Sequence, residues 1–389
     1  MTSAPIDVII PIHNQIDLAS QCINSVLNAR TAVDCELIVI DDASTDPKVS
    51  TTLAELRDEG RITLFTNPQN FGFTRTVNFG MKVHADRDVL LLNSDTIVYD
   101  DWLDRIAAAA VGDRIATVNP MTNQGGSHIS CYPLLCGGAA GELEVDNATL
   151  HRLAAEMNAG KRAEVHTTVG FCMFIQRACL NDIGYFDSVQ FPVAYGEESD
   201  FCYRARKAGW RHMVAGDVFV THLEGQSFSE RKAKLMADML VKFSRLHPEF
   251  AAMDAAFQRQ DPVRALRRGL DIGRIKLLLA GETSLGIQAE IDAVSEPTGA
   301  IYGTFSVETS RLRLRTQENP DAFPNVEEFD FPREISSFNY LMRLLGVTEL
   351  RCSPPCKLAL EQATHGLEYE ISLAPAIIAT SRTTSNFTL

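Results

Sequence analysis

The first residues that could do chemistry lie at the end of an aliphatic run. Residues 89–92 are Val-Leu-Leu-Leu and stop abruptly at Asn93-Ser94-Asp95. This pattern is typical of a buried parallel strand whose carboxyl end opens onto a polar site. Ligands of open α/β sheets collect at such ends, and a carboxylate such as Asp95 can hold a divalent cation that binds a diphosphate. An Asx turn or a helix N-cap is the structural alternative.

A second acidic group is formed by Glu197, Glu198 and Asp200, which precede apolar residues at helical spacing. Carboxylates at a helix N-terminus are favoured by the macrodipole and serve as caps. Three of them within four positions exceed what capping needs, and such crowding raises the pKa of one member, which suits a general acid or base. His222 ends a later apolar run. A lone histidine can be a satisfied structural residue or a metal ligand.

Alternating strand and helix patterns position the first group. Apolar runs at residues 7–12, 36–40 and 62–65 alternate with helical spacing at 18–27 and 74–81. This order predicts a doubly wound α/β sheet, mostly parallel, with helices on both faces. Because carboxyl ends of parallel strands share one edge, the polar residues that follow them should converge. These residues are His13 and Asn14, Asp41 and Asp42, Asn70, and Asn93 with Asp95.

The turn after the first strand excludes the common glycine-rich nucleotide sites. Residues 11–14 occupy the place of a dinucleotide fingerprint, and no Gly-Lys-Ser/Thr phosphate loop follows any strand. A nucleotide bound here would depend on side chains and a metal. Asp42 could accept hydrogen bonds from a base imide or a ribose hydroxyl, or it could be a solvated turn residue.

Composition narrows the function further. The 389 residues are 45% hydrophobic and 22% charged, and this length predicts two or more domains. A formal net charge of −14 argues against a nucleic-acid partner. The chain shows no apolar run long enough for a bilayer, no signal-peptide pattern, and nine cysteines without a repeated short spacing. We therefore expect a cytoplasmic protein, which could also contact the inner face of the membrane peripherally.

Taken in order, these motifs resemble those of the inverting glycosyltransferases of family 2, which have the GT-A fold, and particularly the rhamnosyltransferase-like members. The resemblance covers residues 6 to about 228 and rests on the order of the motifs. They are Val8-Ile9-Ile10-Pro11-Ile12-His13-Asn14, Val39-Ile40-Asp41-Asp42-Ala43-Ser44-Thr45-Asp46, Asn70-Phe71-Gly72-Phe73 with Asn78, Leu92-Asn93-Ser94-Asp95, Gly170, Gly184-Tyr185-Phe186-Asp187, Gly196-Glu197-Glu198-Ser199-Asp200-Phe201 with Arg204, Gly209-Trp210, and His222.

The resemblance implies a donor site for a nucleoside diphosphate sugar. Pro11, His13 and Asp42 match residues that line the nucleotide base and ribose. The expected site is completed by three asparagines of the same motifs, which are Asn14, Asn70 and Asn93.

The resemblance also implies a metal and a base. Asp95 matches the cation-binding position of the Asp-x-Asp element, so it would hold Mg²⁺ or Mn²⁺, and His222 matches a position that can complete the metal shell. Glu198 matches the aspartate that serves as catalytic base. Two departures stand out: Asn93 replaces the first aspartate, and the extra methylene of Glu198 moves its carboxylate by about an ångström. Asp200 or Glu197 could therefore be the working base instead.

The implied reaction is a metal-dependent, inverting, hexosyltransferase-type transfer. A sugar would pass from the nucleoside diphosphate to a hydroxyl of a glycan or lipid-linked acceptor in polysaccharide biosynthesis. A non-catalytic sugar-nucleotide-binding or assembly subunit is the main alternative. A nucleotidyltransferase would normally show a Gly-Gly-x-Gly loop after its first strand, and this chain does not.

We expect three regions: a GT-A domain over residues 1–228, a helical linker over 229–272, and a small Rossmann-like α/β domain over 273–389. The last weakly resembles the first half of a GT-B glycosyltransferase, with a predicted helix at 286–295. The segment that leads into this domain is basic and contains four arginines (Arg264, Arg267, Arg268 and Arg274). They could meet anionic lipid head groups or lie on a solvated linker. The oligomeric state stays open, and a homo-oligomer is compatible with the sequence.

Overall fold

The computed structural model describes residues 5–123, 129–134, 143–223, 230–289, 300–316, 319, 321–326, 328–363 and 369–373. The chain divides into two compact units, residues 1–270 and 271–389. Residues 229–270 therefore group with the first unit, and the three-region division into 1–228, 229–272 and 273–389 stays a prediction.

The first unit alternates strands and helices. In chain order it contains β1 (Ile6–Ile12), α1 (Ile16–Asn28), β2 (Cys35–Asp41), α2 (Pro47–Asp58), β3 (Thr63–Thr66), α3 (Phe73–Gly80), β4 (Val89–Leu92), β5 (Thr96–Ile97), α4 (Trp102–Ala109), β6 (Ile115–Thr122), α5 (Asn147–Met157), β7 (Arg162–Val165), β8 (Cys172–Ile175), α6 (Arg177–Ile183), α7 (Glu197–Lys207), β9 (Arg211–His222), α8 (Glu230–Leu246), α9 (Phe250–Gln260) and the first part of α10 (Arg264–Leu279).

These strands form one mixed sheet whose order, among the residues described, is β3-β2-β1-β4-β8-β6-β9-β5, with β7 paired to β9. Neighbours from β3 to β4 are parallel. β8 is antiparallel to both β4 and β6, and β6 is parallel to β9. Two reversals restore the direction, so β6 and β9 run the same way as β4. The carboxyl ends of β1, β2, β4 and β9 therefore lie at one edge of the sheet.

The central strands are buried on both faces, which explains their continuous apolar sequence. Val8 and Ile10 of β1 pack into one core with α1, while Ile9 packs into the opposite core with α3. Successive side chains of a strand point to opposite faces, so one strand supplies both cores. Burying one such side chain stabilises the fold by roughly 1.5–3 kcal/mol. Helices cover both faces, as predicted.

One predicted strand is shorter than expected. The apolar sequence of residues 166–175 by itself predicts a continuous strand, but within this range only β8, Cys172–Ile175, forms. The side chain of Asn119, fully buried, supplies the reason. Its Oδ1 accepts from Val169 N at 2.7 Å, and its Nδ2 donates to the carbonyls of Val169 and Cys172. This amide replaces ladder hydrogen bonds and leaves residues 166–171 as an irregular segment.

The second unit is a separate α/β domain. It contains the end of α10 and then β10 (Ser284–Ala289), β11 (Ile301–Ser306), β12 (Arg311–Thr316), β13 (Phe329–Asp330), α11 (Ile335–Leu345), β14 (Glu349–Cys352), α12 (Pro354–Ala363) and β15 (Glu370–Leu373). Its described strands run in the order β13-β12-β11-β10-β14-β15, and β11, β10, β14 and β15 are parallel. The GT-B half-domain stays a prediction.

The helix predicted over residues 286–295 is wrong at its start, where β10 forms instead. Leu285 and Ile287 are buried and alternate with less apolar neighbours, and this period of two is that of a strand. Residues 290–299 lie outside the described residues.

Two of the four arginines predicted for a basic surface are buried. The Arg267 guanidinium pairs with Asp261, and Arg274 pairs with Asp271 and donates to the carbonyl of Ala322. Arg264 is exposed and Arg268 is half-buried. A helix long and apolar enough to cross a bilayer is not found in the described parts of the chain.

Candidate active site

The acidic turn after β4 lies against the end of β9. β5 pairs with β9 so that Thr96 faces His222 across the ladder. The imidazole Nε2 of His222 lies 3.1 Å from Oδ1 of Asp95, and Leu223 N donates to the Asp95 carbonyl at 2.8 Å. The side chain of Asp95 is 24% exposed and that of His222 is 9% exposed. An imidazole and a carboxylate thus meet at the rim of the site.

Buried donors fix the backbone of the Asn93 turn. Thr96 Oγ1 donates to the Asn93 carbonyl at 2.8 Å, and the thiol of Cys22 donates to the same oxygen at 3.3 Å. Burial raises the pKa of Cys22 to about 12, which keeps this thiol protonated and able to donate. On the other side, Asn93 N donates to the carbonyl of Phe171 at 2.8 Å.

Besides Asp95, the residues Phe171 and Asn123 hold His222 in place. Its ring stacks on Phe171 with centroids 5.5 Å apart and planes inclined by 20°. Asn123 brackets its backbone, accepting from His222 N at 2.8 Å and donating to the His222 carbonyl at 3.1 Å. Its second ring nitrogen, Nδ1, is buried and has no hydrogen-bond partner among the described residues. The oxygen and nitrogen donors of Asp95 and His222 fit Mg²⁺ or Mn²⁺ chemically.

The acidic residues 197–200 begin α7 after a sharp turn. Tyr195 and Gly196 both have positive φ, 69° and 101°. A Cβ at Gly196 would lie 2.7 Å from the ring of Phe191, so both the backbone angle and the space require glycine. This turn directs the first residues of α7 toward segment 170–171.

The three carboxyls have different surroundings. Asp200 accepts from Arg204 Nε at 2.8 Å, and His247 Nε2 lies 2.8 Å from its other oxygen. The Glu197 side chain is nearly fully buried, and this burial, together with the neighbouring Glu198 carboxyl, raises its pKa well above the ordinary value. Glu198 is half-buried. Asp200 is therefore committed to an ion pair, and Glu198 is the member nearest to solvent.

Segment 170–171 connects the acidic helix with the imidazole–carboxylate pair. A Cβ on Gly170 would lie 3.8 Å from Oε1 of Glu198, and the next residue, Phe171, stacks on His222 and accepts from Asn93 N. Because consecutive Cα atoms are about 3.8 Å apart, Glu198, His222 and the Asn93 turn surround the same short segment.

Residues 7–184 match the family model of glycosyl transferase family 2. This segment belongs to that family. The mixed sheet with helices on both faces, together with this family match, confirms the predicted fold class.

Two curated relatives of this glycosyltransferase domain are uncharacterized glycosyltransferases. One from Rickettsia conorii is 34% identical over 104 residues, which is 27% of this chain and 17% of the relative. One from Haemophilus influenzae is 28% identical over 101 residues, which is 26% of this chain and 31% of the relative. The chain thus spans less than a third of either relative. A solved mannosyltransferase of Pyrobaculum calidifontis, in complex with GDP-Man and Mn²⁺, aligns with a TM-score of 0.44 at 16% identity, covering 72% of this chain and 76% of that one.

The first loop of the glycosyltransferase domain pairs with the second. Pro11 is half-buried near the end of β1, where it pairs with Ile40. His13 is exposed, and its Nδ1 lies 3.0 Å from the Asp42 carbonyl, so Nδ1 carries the proton and Nε2 is left as an acceptor. Asn14 has positive φ, and its Oδ1 accepts from the backbone N–H groups of Thr45 and Asp46. Asn14 therefore joins the two loops.

Asp42 supports the neighbouring loop with its whole carboxylate. Oδ1 accepts from Asn67 Nδ2 at 2.7 Å and Phe71 N at 2.9 Å, and Oδ2 accepts from Gly72 N at 2.8 Å. Its side chain is buried. Asn70 is exposed in this loop and accepts from Gly72 N at 3.0 Å. The carboxylate expected to meet the nucleotide therefore organises residues 67–72.

Several supporting residues carried little or no signal in the sequence. Asn78 exchanges two hydrogen bonds with the backbone of Phe186, at 2.8 and 3.1 Å, which fixes the turn before α7. No recognisable sequence motif marks Asn119, Asn123 or Phe171 as part of a site. Their partners lie roughly 50–100 positions away in sequence, so only the described fold reveals them.

A second cluster of possible metal ligands, Asp7, Glu36 and His84, lies elsewhere. Asp7 lies at the amino end of β1, whereas Asp95 follows the carboxyl end of β4, at the opposite edge of the sheet. A seven-residue strand such as β1 separates the two edges by about 20 Å. Arg87 NH1 contacts Glu36 at 2.6 Å and Asp7 at 3.1 Å. This guanidinium already supplies the positive charge, so the cluster is an ion-pair network.

Proposed function

We propose that the protein is a metal-dependent inverting glycosyltransferase. It transfers a sugar from a nucleoside diphosphate sugar to a hydroxyl of a glycan or lipid-linked acceptor in polysaccharide biosynthesis. The observation that carries the proposal is that Glu198, His222 and the turn from Asn93 to Asp95 surround segment 170–171, next to strands that match the family model of glycosyl transferase family 2.

Asp95 and His222 are the proposed ligands for Mg²⁺ or Mn²⁺. The Asp95 carboxylate and the His222 Nε2 that faces it at 3.1 Å offer an oxygen and a nitrogen donor of the kind that such a cation accepts. When bound, the cation neutralises negative charge on the departing diphosphate. The stack on Phe171 and the Asn123 bracket keep the imidazole in place for this task.

Glu198 is the proposed base. Its carboxylate takes the proton of the acceptor hydroxyl while that oxygen attacks the anomeric carbon. The bond from the anomeric carbon to the diphosphate oxygen breaks, and its electron pair leaves with the nucleoside diphosphate. A single displacement of this kind inverts the anomeric centre. Asp200 is a weaker candidate because Arg204 and His247 both engage its carboxylate.

The nucleotide side is formed by the exits of β1, β2, β3 and β4. Pro11 and His13 offer an apolar wall and one ring acceptor, and Asn70 and Asn93 offer amide groups near the opening. Asn14 and Asp42 act by shaping the loops that carry these groups. We place the enzyme in the cytoplasm, where nucleotide sugars are made. The proposed peripheral contact with the membrane would be made by the arginines that are not buried, Arg264 and Arg268.

The experiment is a donor panel. The protein is incubated with nucleoside diphosphate sugars, acceptor candidates and Mn²⁺, and release of the nucleoside diphosphate is measured. We expect release with one donor class, and a loss of roughly 10²–10⁴-fold in Glu198→Gln, since general base catalysis contributes about that much. Glu156→Gln, an exposed carboxyl on α5, is the matched control and keeps full release.

Two outcomes would change the proposal. If release survives in Glu198→Gln but falls in a folded Asp200→Asn, Asp200 is the base. Binding of a nucleotide sugar with no release under any condition would favour a non-catalytic assembly subunit.

A further inference from the structure

Four fully buried residues close a ring of hydrogen bonds that connects α7 with the sheet. They come from α7, segment 166–171, β6 and β9, and are Cys202, Thr168, Thr117 and His212. Cys202 Sγ lies 3.2 Å from Thr168 Oγ1, which lies 2.7 Å from Thr117 Oγ1. Thr117 Oγ1 lies 2.7 Å from His212 Nδ1, and His212 Nε2 lies 2.9 Å from the carbonyl of Cys202.

The direction of every bond in this ring follows from that carbonyl. A carbonyl oxygen only accepts, so His212 Nε2 carries the proton, and in a neutral imidazole Nδ1 then accepts from the Thr117 hydroxyl. Burial lowers the pKa of His212 to about 3, so the imidazole is neutral at neutral pH. Because Thr117 has used its one proton, the Thr168 hydroxyl donates to Thr117, and the Cys202 thiol donates to Thr168. Loss of any one group interrupts the ring.

The contact between Cys202 and Thr168 lies one helical turn from Glu198. Cys202 follows Glu198 by four residues in α7, so the two side chains lie on one face of the helix, about 6 Å apart along its axis. Thr168 precedes Gly170 by two residues, which span at most about 7 Å of chain. A Cβ on Gly170 would lie 3.8 Å from Oε1 of Glu198. The helix and the segment therefore contact each other at two matched points, and fixing one point fixes the other.

Other polar contacts hold the helix and the segment separately. Arg204 donates to the carbonyls of Ile183 and Tyr185, which attaches α7 to the turn that precedes it. Asn119 of β6 holds the segment by bonding both the N–H and the carbonyl of Val169. The ring joins these two attachments, because it contains one residue of the helix and one residue of the segment.

We propose that Thr168 is a positioning residue, which sets the place of the Glu198 carboxylate relative to segment 170–171 through its hydrogen bond with Cys202. His212 and Thr117 fix the direction in which the Thr168 hydroxyl points. The inference rests on the proposed role of Glu198 as base. Thr168 is fully buried, so it acts through Glu198 and contacts neither donor nor acceptor.

The first test needs no substrate. Thr168→Val keeps the shape of the side chain and removes the hydroxyl, and amide hydrogen exchange in the first two turns of α7 should become about tenfold faster while exchange in β1 stays unchanged. Thr63→Val is the matched control, because it removes a 2.7 Å hydroxyl bond to Glu36 on β3, far from α7. Unchanged exchange in α7 of Thr168→Val would overturn the inference.

The second test uses the active donor and acceptor. In Thr168→Val we expect kcat to fall by about tenfold to a hundredfold through misplacement of the base, with the donor KM unchanged because the donor side lies at other strand exits. Thr168→Ser keeps the hydroxyl and should restore most of this kcat. Thr63→Val should transfer sugar like the wild type, and an equal fall of kcat in Thr63→Val and Thr168→Val would contradict a positioning role.

A double variant isolates the contact itself. Cys202→Ala removes the same hydrogen bond from the helix side, so Thr168→Val combined with Cys202→Ala should lose no more kcat than either single variant. Multiplying losses would show that the two residues act independently, which would refute the inference. If Thr168→Val does not fold, Cys202→Ala takes its place in both tests. If the wild-type protein transfers no sugar while the exchange result holds, the proposed function fails and the attachment of α7 by the ring stands.

Discussion

The imidazole of His222 lies 3.1 Å from the carboxylate of Asp95, although 127 positions separate the two residues. Strand pairing between β5 and β9 sets this distance, and stacking on Phe171 maintains it. A two-ligand arrangement that is fixed by a sheet needs little rearrangement to bind a cation.

Asp95→Asn should therefore weaken cation binding. Loss of the carboxylate removes the negative charge that opposes the cation, and we expect affinity for Mn²⁺ in the presence of nucleoside diphosphate to fall at least about a hundredfold. Titration calorimetry measures this directly. Asp86→Asn, which changes an exposed aspartate outside the proposed site, should bind Mn²⁺ like the wild type. Equal affinities of Asp95→Asn and the wild type would move the metal elsewhere.

Asp42→Asn should destabilise the fold and weaken donor binding together. An amide cannot accept from Asn67, Phe71 and Gly72 on both sides, so at least one N–H group loses its acceptor on residue 42, at a cost of about 1–3 kcal/mol in the free energy of unfolding. Urea unfolding and the donor KM report the two effects.

A matched change lies later in the same loop, directly before α2. Asp46 caps α2 by accepting from Lys48 N, and asparagine caps equally well, so Asp46→Asn should be nearly neutral. If Asp42→Asn keeps its stability and loses only donor affinity, the Asp42 carboxylate contacts the donor directly.

Gly196→Ala should lower kcat more than its effect on stability explains. The alanine Cβ would meet the Phe191 ring at 2.7 Å, which displaces the start of α7 and with it Glu198. Gly60→Ala is the comparison, since Gly60 has φ of 70° but open space around it. Both variants should lose about 1–3 kcal/mol through backbone strain, measured by urea unfolding. Only Gly196→Ala should lose sugar transfer, and equal activity of the two variants would contradict the proposed position of the base.

His212 should make the protein sensitive to acid. Its ring is fully buried between Thr117 and the carbonyl of Cys202, and burial lowers its pKa from 6.5 to about 3. As the pH falls below 6.5, the unfolded chain takes up the proton first, so stability is lost by up to about 1.4 kcal/mol per pH unit until pH 3. The free energy of unfolding measured from pH 7 to pH 4 should therefore fall less steeply in His212→Gln.

His151, whose pKa is also lowered by burial, provides the internal check. His151→Gln should remove a further part of the acid slope. An unchanged slope in His212→Gln would show that His212 is already protonated in the fold or remains solvated.

The sequence predicted the strand exits well because the relevant signals are local. The aliphatic run of β4 and the polar residues that follow it are adjacent in the chain, and the same is true of β1 with His13 and of β2 with Asp42. Local patterns of this kind determine both the element and the edge at which its side chains emerge.

The supports of the site were not predictable in this way. Asn119 interrupts a predicted strand from a position 50 residues earlier, and two of the partners of Asp42 are the backbone N–H groups of Phe71 and Gly72, which no residue type reveals. Arg267 and Arg274 are charged residues of the kind usually found at the surface, but they are buried beside Asp261 and Asp271. A charged side chain is buried only where a specific partner lies next to it. The packing of the folded chain determines which residue that partner is.

The family match ends at residue 184, but β9 begins at Arg211 and contributes twelve residues to the sheet. A shortened chain that stopped at the end of the match would lose β9 and leave β6 with an open hydrogen-bonding edge. Such an edge invites strand addition from other molecules, so the trimmed protein should precipitate rather than fold. The smallest stable piece must therefore continue at least through α10, where the carbonyl of Leu266 receives the Asn158 amide.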